Sequence, residues 1–284
     1  MGLAFMGALV ITPDTLLIRL SGLEGWSLTA WRGLLCGMTL IFIWFLLTQG
    51  RFREDLEQIK SIPFGIIFVA TAVNNVTFNF AVVETSVTVV LTALATAPIL
   101  AAGLSFFLLK EITTLNTWIT IILTLCGVLI VILNGGNATS APVGNIYVGG
   151  FLGLVSAFGL AIVFVFTRKF QKLPILLAIA LGNILSGIIG VTWSSSDALF
   201  NGSLWPVLLM GFGVMPFAMA MLSIAPRYTA ATNVSLFMLL ELVLGPFWVW
   251  LGTHEQPSPT MIVGAGLVLV TLLFYFITSS KNEV

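Results

Sequence analysis

Three ionisable side chains interrupt otherwise apolar runs of this chain: Asp14, Arg32 and Glu241. In a hydrocarbon core each charge costs about 2.5 to 3.5 kcal/mol on insertion scales, so a charge kept at depth faces the bundle interior and is a functional candidate. Asp14 falls in the outer half of the first apolar run, Arg32 a turn or more into the second, and Glu241 near the middle of the ninth. A carboxylate as deep as Glu241 can bind an ammonium group, pair with Arg32, or take up a proton, because loss of water disfavours the charged form. Asp14 and Arg32 sit at similar depth on consecutive runs, which fits a structural ion pair as well as direct contact with a solute. In the third run, Asn75 and Asn79 are spaced i, i+4 and share a helix face with Thr71, while Asn74 points about 100° away. Such a stripe either joins helices or lines a wet cavity. Phe237, Glu241 and Trp248 also fall on one broad face, an arrangement suited to an organic cation or to plain packing.

Those residues need elements to hold them, and composition says which. Apolar residues make up 58% of the 284 positions, charged residues 8%, and mean hydropathy is +1.11. A soluble domain is about one quarter charged, so lipid is the solvent for most of this chain. A spanning helix takes about 20 apolar residues, which leaves no room for a sizeable soluble domain. The runs are too long and continuous for the alternating strands of a membrane barrel. The expected fold class is therefore all-α integral membrane, with ten transmembrane helices. They lie at roughly 2–20, 27–48, 63–83, 86–109, 115–133, 147–167, 174–193, 204–224, 230–251 and 260–279. Pro98, Pro216 and Pro246 fall inside these spans, where proline can kink a helix. The first run lacks a basic leader and is expected to be retained as a helix.

Lysine and arginine set the orientation, since cytoplasmic connectors retain them. With a cytoplasmic N-terminus, Arg51, Arg53, Lys60, Lys110, Arg168, Lys169, Lys172, Arg227 and Lys281 lie inside and Arg19 outside. Both termini are then cytoplasmic. Arg51 to Lys60 can form only a short interfacial helix or turn, and His254 falls in an outer connector.

The same inventory excludes whole classes of chemistry. One histidine cannot supply an HExxH zinc site or the base of a serine triad. An intramembrane aspartyl protease needs two apposed aspartates, whereas Asp197 falls in a loop. Cys36 and Cys126 lack metal or redox spacing and suit packing. No enzyme, metal or cofactor is expected, with proton coupling left open. The absence of a basic block argues against a nucleic-acid partner. The expected partners are a small-molecule substrate and the lipid bilayer, with a homodimer allowed.

The turn-rich stretch Asn134 to Asn145 divides the chain into residues 1–135 and 146–280, each with five spans. A shift of 144 residues lays Ala81-Val82-Val83-Glu84-Thr85-Ser86 over Ala225-Pro226-Arg227-Tyr228-Thr229-Ala230. It also lays Leu109-Lys110-Glu111 over Thr253-His254-Glu255. Because five is odd, the second copy enters the membrane from the opposite side, giving two inverted five-helix repeats of the kind found in alternating-access carriers.

Three groups of residues carry a family resemblance: Trp31-Arg32-Gly33, the segment Leu91-Thr92-Ala93-Leu94-Ala95-Thr96-Ala97-Pro98 running on to Leu108-Leu109-Lys110-Glu111, and Leu239-Leu240-Glu241 followed by Glu255. Through them the chain resembles the drug/metabolite transporter superfamily, specifically its ten-helix EamA-type permeases. The resemblance implies a secondary transporter that moves an amino-acid-like or other small organic solute across a bacterial cytoplasmic (inner) membrane, more often outward. A channel, or an uptake carrier of the same fold, is the alternative. The family often places proline directly after the glutamate of the ninth helix. Here Leu242 follows Glu241 and proline comes later, at Pro246, which moves the expected helix break.

Overall fold

The computed structural model describes residues 1–284 except 24, 49, 51, 85–89, 91–92, 135–144, 254–258 and 281–284. The described residues are helical throughout their regular elements. The first half contains α1 (Gly2–Ile11), α2 (Asp14–Ser21), α3 (Gly25–Thr48), α4 (Phe52–Gln58), α5 (Ile62–Glu84), α6 (Ala97–Leu109) and α7 (Leu115–Asn134). The second contains α8 (Ile146–Lys169), α9 (Ile175–Trp193), α10 (Ser196–Phe200), α11 (Leu204–Leu208), a π-helical turn (Leu209–Val214), α12 (Met215–Ile224), a 3-10 turn (Ala225–Arg227), α13 (Ala231–Thr253) and α14 (Pro259–Ser280). Among the described residues seven segments are long and apolar enough to cross a membrane: 2–21, 25–48, 62–82, 147–169, 175–193, 204–227 and 231–252. The apolar stretches 97–109, 115–127 and 262–278 are shorter.

The first expected span is two helices. Thr12 and Pro13 form a turn between α1 and α2, with Pro13 as the N-cap residue of α2 and Gly22 closing α2 at φ 62°. Proline lacks the N–H that a continuous helix would need and is tolerated at a helix start. Pro98 sits in the first turn of α6, whereas Pro216 lies inside the helical span 204–227, just after the π-helical turn. At Pro246 the helix break expected from the sequence does not occur, because α13 runs unbroken from Ala231 to Thr253. Membrane helices tolerate such prolines where neighbours satisfy the freed backbone group. The segment after α3 forms the short helix α4, as the mixed-charge stretch Arg51 to Lys60 allows.

Small residues set how closely the helices approach. The main interhelical contact is between α3 and α9. A Cβ added at Gly33 would lie 2.5 Å from the Asn183 carbonyl oxygen and 2.5 Å from the Gly187 nitrogen, so the two backbones touch where only glycine fits. Without a hydrophobic difference between lipid and side chains, such close van der Waals contact is what joins helices. The other principal contacts are α5 with α8 and α9, α6 with α8 and α13, α7 with α14, and α12 with α1. The α13 helix rests on both α1 and α2, and the π-helical turn on α3.

At one end of the bundle Trp31 Nε1 donates to the Leu199 carbonyl at 2.8 Å, and Ser27 and Ser194 hydroxyls are 2.8 Å apart. At the other, Lys110 ends α6 in the left-handed region, and Glu111 Oε1 accepts from Arg168 Nε at 3.2 Å. The Trp31-Arg32-Gly33 and Lys110-Glu111 motifs thus each join the two halves.

Candidate functional site

The break at Pro13 makes Asp14 the first residue of α2. Its carboxylate Oδ2 lies 2.9 Å from Arg32 Nη2 of α3, with Asp14 1% and Arg32 3% exposed. In a medium of low dielectric the two charges need each other, and Arg32 pairs with Asp14 rather than Glu241. The pair is single-pronged. Arg32 Nη1 reaches only the soft acceptor Met210 Sδ, at 3.6 Å, and the guanidinium lies 5.5 Å from the Phe78 ring centroid. Arg32 Nε, Asp14 Oδ1 and the neighbouring Thr15 Oγ1 are buried without a hydrogen-bond partner. The site therefore has donor and acceptor capacity to spare, where buried polar atoms are normally satisfied.

Glu241 is 6% exposed on α13, the helix that packs on α2, and lies within electrostatic reach of both Asp14 and Arg32. Three charged groups from α2, α3 and α13 thus share one buried region. With all three ionised the cluster carries an excess negative charge, which a proton or a cationic group would balance. On the same helix as Glu241, Trp248 donates its Nε1 to Thr12 Oγ1 at 2.9 Å and so holds the α1–α2 break. Phe237 is fully buried against the Phe5 and Phe276 rings, each with centroids 5.9 Å away, and belongs to the packing core.

The asparagine stripe joins helices. Asn75 Nδ2 donates to Asn183 Oδ1 at 2.9 Å and Ser186 Oγ at 2.8 Å on α9. Asn79 Nδ2 donates to Thr29 Oγ1 of α3 at 3.0 Å and to Asn75 Oδ1 at 3.1 Å. Asn74, on another face, accepts from Ser156 of α8. Asn75 and Asn79 therefore brace the α3–α5–α9 contact. Met210 and Phe78 had no mark in the sequence, each being one apolar residue among many. Asn183 and Ser186 could have been found as a polar i, i+3 pair in an apolar run. Cys36 is buried and Cys126 exposed, both free, and His254 lies outside the described residues.

Comparison with known proteins adds to this geometry. Residues 2–133 match the family model of the EamA-like transporter family. The uncharacterized transporter YdfC of Bacillus subtilis is 26% identical over 274 residues, covering 92% of this chain and 86% of that one. A UPF0060 membrane protein of Herpetosiphon aurantiacus is 29% identical over 104 residues, 36% of this chain and 90% of that one. A solved crystal structure superposes with a TM-score of 0.78 at 15% identity, covering 99% of this chain and 98% of that one, and so shares the fold. With buried charges inside apolar helices, a match to the EamA-like transporter family over the first half and a transporter relative along almost the whole length, the chain is a multi-pass membrane protein similar to transporters of the EamA-like family.

Proposed function

We propose that the protein is a secondary transporter that exports a small amino-acid-like or other organic solute by alternating access, with Asp14, Arg32 and Glu241 forming its solute or proton site. The observation that carries this reading is the gathering of two carboxyl groups and one guanidinium, all buried, on helices from both halves of the chain. A structural pair alone would account for Asp14 and Arg32. It leaves the third charge without a role, and keeping one at depth is costly.

The reading includes ten spans arranged as two inverted five-helix repeats, residues 1–135 and 146–280. The contact pattern supports it. Exchanging each span for the one five places along maps α3 with α9, α7 with α14 and α6 with α13 onto themselves. It also maps α5 with α8 onto α12 with α1. Odd-span repeats related this way would place the solute site between the halves near mid-bilayer. One chain then makes a complete transport unit, and the homodimer allowed by the sequence would pair two such units. The lysine and arginine asymmetry supports a bacterial inner-membrane location with both termini in the cytoplasm.

The test is an untargeted comparison of metabolites in cells and medium between deletion and overexpressing strains, repeated with Glu241→Gln. Overexpression should raise at least one solute in the medium, and the Gln variant should not. A solute exported equally by both would remove Glu241 from the site.

A further inference from the structure

A second polar region lies far from the charged cluster, at the inner end of the bundle in the orientation given by the lysine and arginine count. There a pocket of about 490 Å³ opens between the end of α3, α4, the α8–α9 connector and the 3-10 turn. It is roughly 18 Å along α3 from Arg32, since Trp44 in its wall is about a dozen residues further on.

One wall is acidic and held in place. Phe52 of α4 packs its ring on Trp44 with centroids 4.8 Å apart, and Asp55 Oδ2 accepts from Trp44 Nε1 at 2.8 Å and Thr48 Oγ1 at 3.4 Å. These contacts fix α4 so that Glu54 and Asp55 both line the pocket. The lining supplied by the second half is basic. Arg227 donates through Nη2 to the Leu173 carbonyl, while its Nε is buried without a partner, and Lys172 stands beside it on the connector. The first residues of α9 are also part of this lining, behind an N-cap, Pro174, that offers no side-chain bond. The partial positive charge of a helix start adds to that of the two cations.

Two anions from the first half and two cations from the second line one pocket, so it has no net charge but carries both signs. A ligand of one sign would be attracted by one pair and repelled by the other. A ligand with both signs a few ångströms apart matches both. Two cations from two elements, beside a helix start, suit the multiple charges of a phosphate better than a single carboxylate.

We propose that this pocket is a binding site for a phosphate ester carrying an ammonium group, the chemistry of phosphoethanolamine, supplied by an inner-leaflet lipid headgroup or by a free metabolite. Glu54 and Asp55 hold the ammonium, and Lys172 and Arg227 the phosphate. A bound ligand would tie α4 of the first half to the connector and 3-10 turn of the second.

The test follows thermal unfolding of the full-length, lipid-stripped protein in detergent with phosphoethanolamine, inorganic phosphate or ethanolamine at equal concentration. A ligand that binds only the folded state raises the midpoint. Phosphoethanolamine should raise it by more than the other two together, and the double variant Glu54→Gln/Lys172→Gln should lose that increment. Lys172→Arg should keep it. Repeating the titration in bilayers of phosphatidylethanolamine and of phosphatidylglycerol separates the sources. A headgroup source gives a higher midpoint in the first bilayer and a smaller further shift on adding phosphoethanolamine. A free metabolite gives the same shift in both. The proposal is overturned by no shift in detergent, by phosphate acting as well as phosphoethanolamine, or by an increment that persists in the double variant.

Discussion

Arg32 Nη2 and Asp14 Oδ2 are 2.9 Å apart at the centre of a half-satisfied pair, with Arg32 Nε and Asp14 Oδ1 each buried and unbonded. Removing one member strands the other charge. Asp14→Asn should therefore lower stability by about 3 kcal/mol, within the range for broken buried pairs. Adding Arg32→Gln should recover much of the loss. Unfolding of the purified single and double variants measures this, and additive losses would mean the two side chains do not depend on each other.

Glu241→Gln keeps the shape of the side chain, so folding and membrane insertion should survive. Transport should fall about tenfold or more, corresponding to roughly 1.4 kcal/mol, and Asp14→Asn should reduce transport no further than this. If Glu241 carries a proton, the Gln variant should lose accumulation driven by a pH gradient in liposomes and retain solute exchange, which need not cycle a proton. Full gradient-driven accumulation would make Glu241 structural.

Gly33→Ala should wedge α3 from α9, because the new methyl meets the backbone of Asn183 and Gly187 rather than a movable side-chain tip. A loss of about 1 to 3 kcal/mol is expected, as for other overpacked sites. Gly65→Ala meets nothing within 4 Å and should be neutral or slightly stabilising. Equal melting temperatures for the two variants would contradict the close backbone contact.

Asn75→Ala removes the donor shared by Asn183 and Ser186 and should cost about 1 kcal/mol, the scale of hydrogen bonds between membrane helices. A double-mutant cycle with Asn183→Ala should give a coupling of the same order. Transport by the folded fraction should be little changed. A large transport defect at full stability would move Asn75 from bracing to the solute path.

In a background lacking Cys36 and Cys126, cysteine at Glu57 or Gln171 should label only from the cytoplasmic side, and at Ser196 only from outside. Labelling of position 171 from the periplasm would invert the orientation and, with it, the inner location of the α4 pocket.

The sequence alone determined the solvent, the class of element and the identity of the costly residues. Hydropathy is a property of one continuous run of about 20 residues, and in lipid such a run must satisfy its own backbone as a helix. The burial of Asp14, Arg32 and Glu241 and the short helix after α3 were legible for that reason. Partner choice was not. Whether Arg32 meets Asp14 or Glu241 depends on how α2, α3 and α13 are arranged, and Asn75 finds its acceptor 108 positions away. An apolar residue such as Phe237 reads the same in a core, a pocket or a lipid face until its neighbours are known. Only the packing of helices from both halves decided that Asn75 and Asn79 brace, that Phe237 fills the core, and that Glu54 and Asp55 line one pocket with Lys172 and Arg227. Contacts of that kind depend on distances between helices that local sequence does not encode.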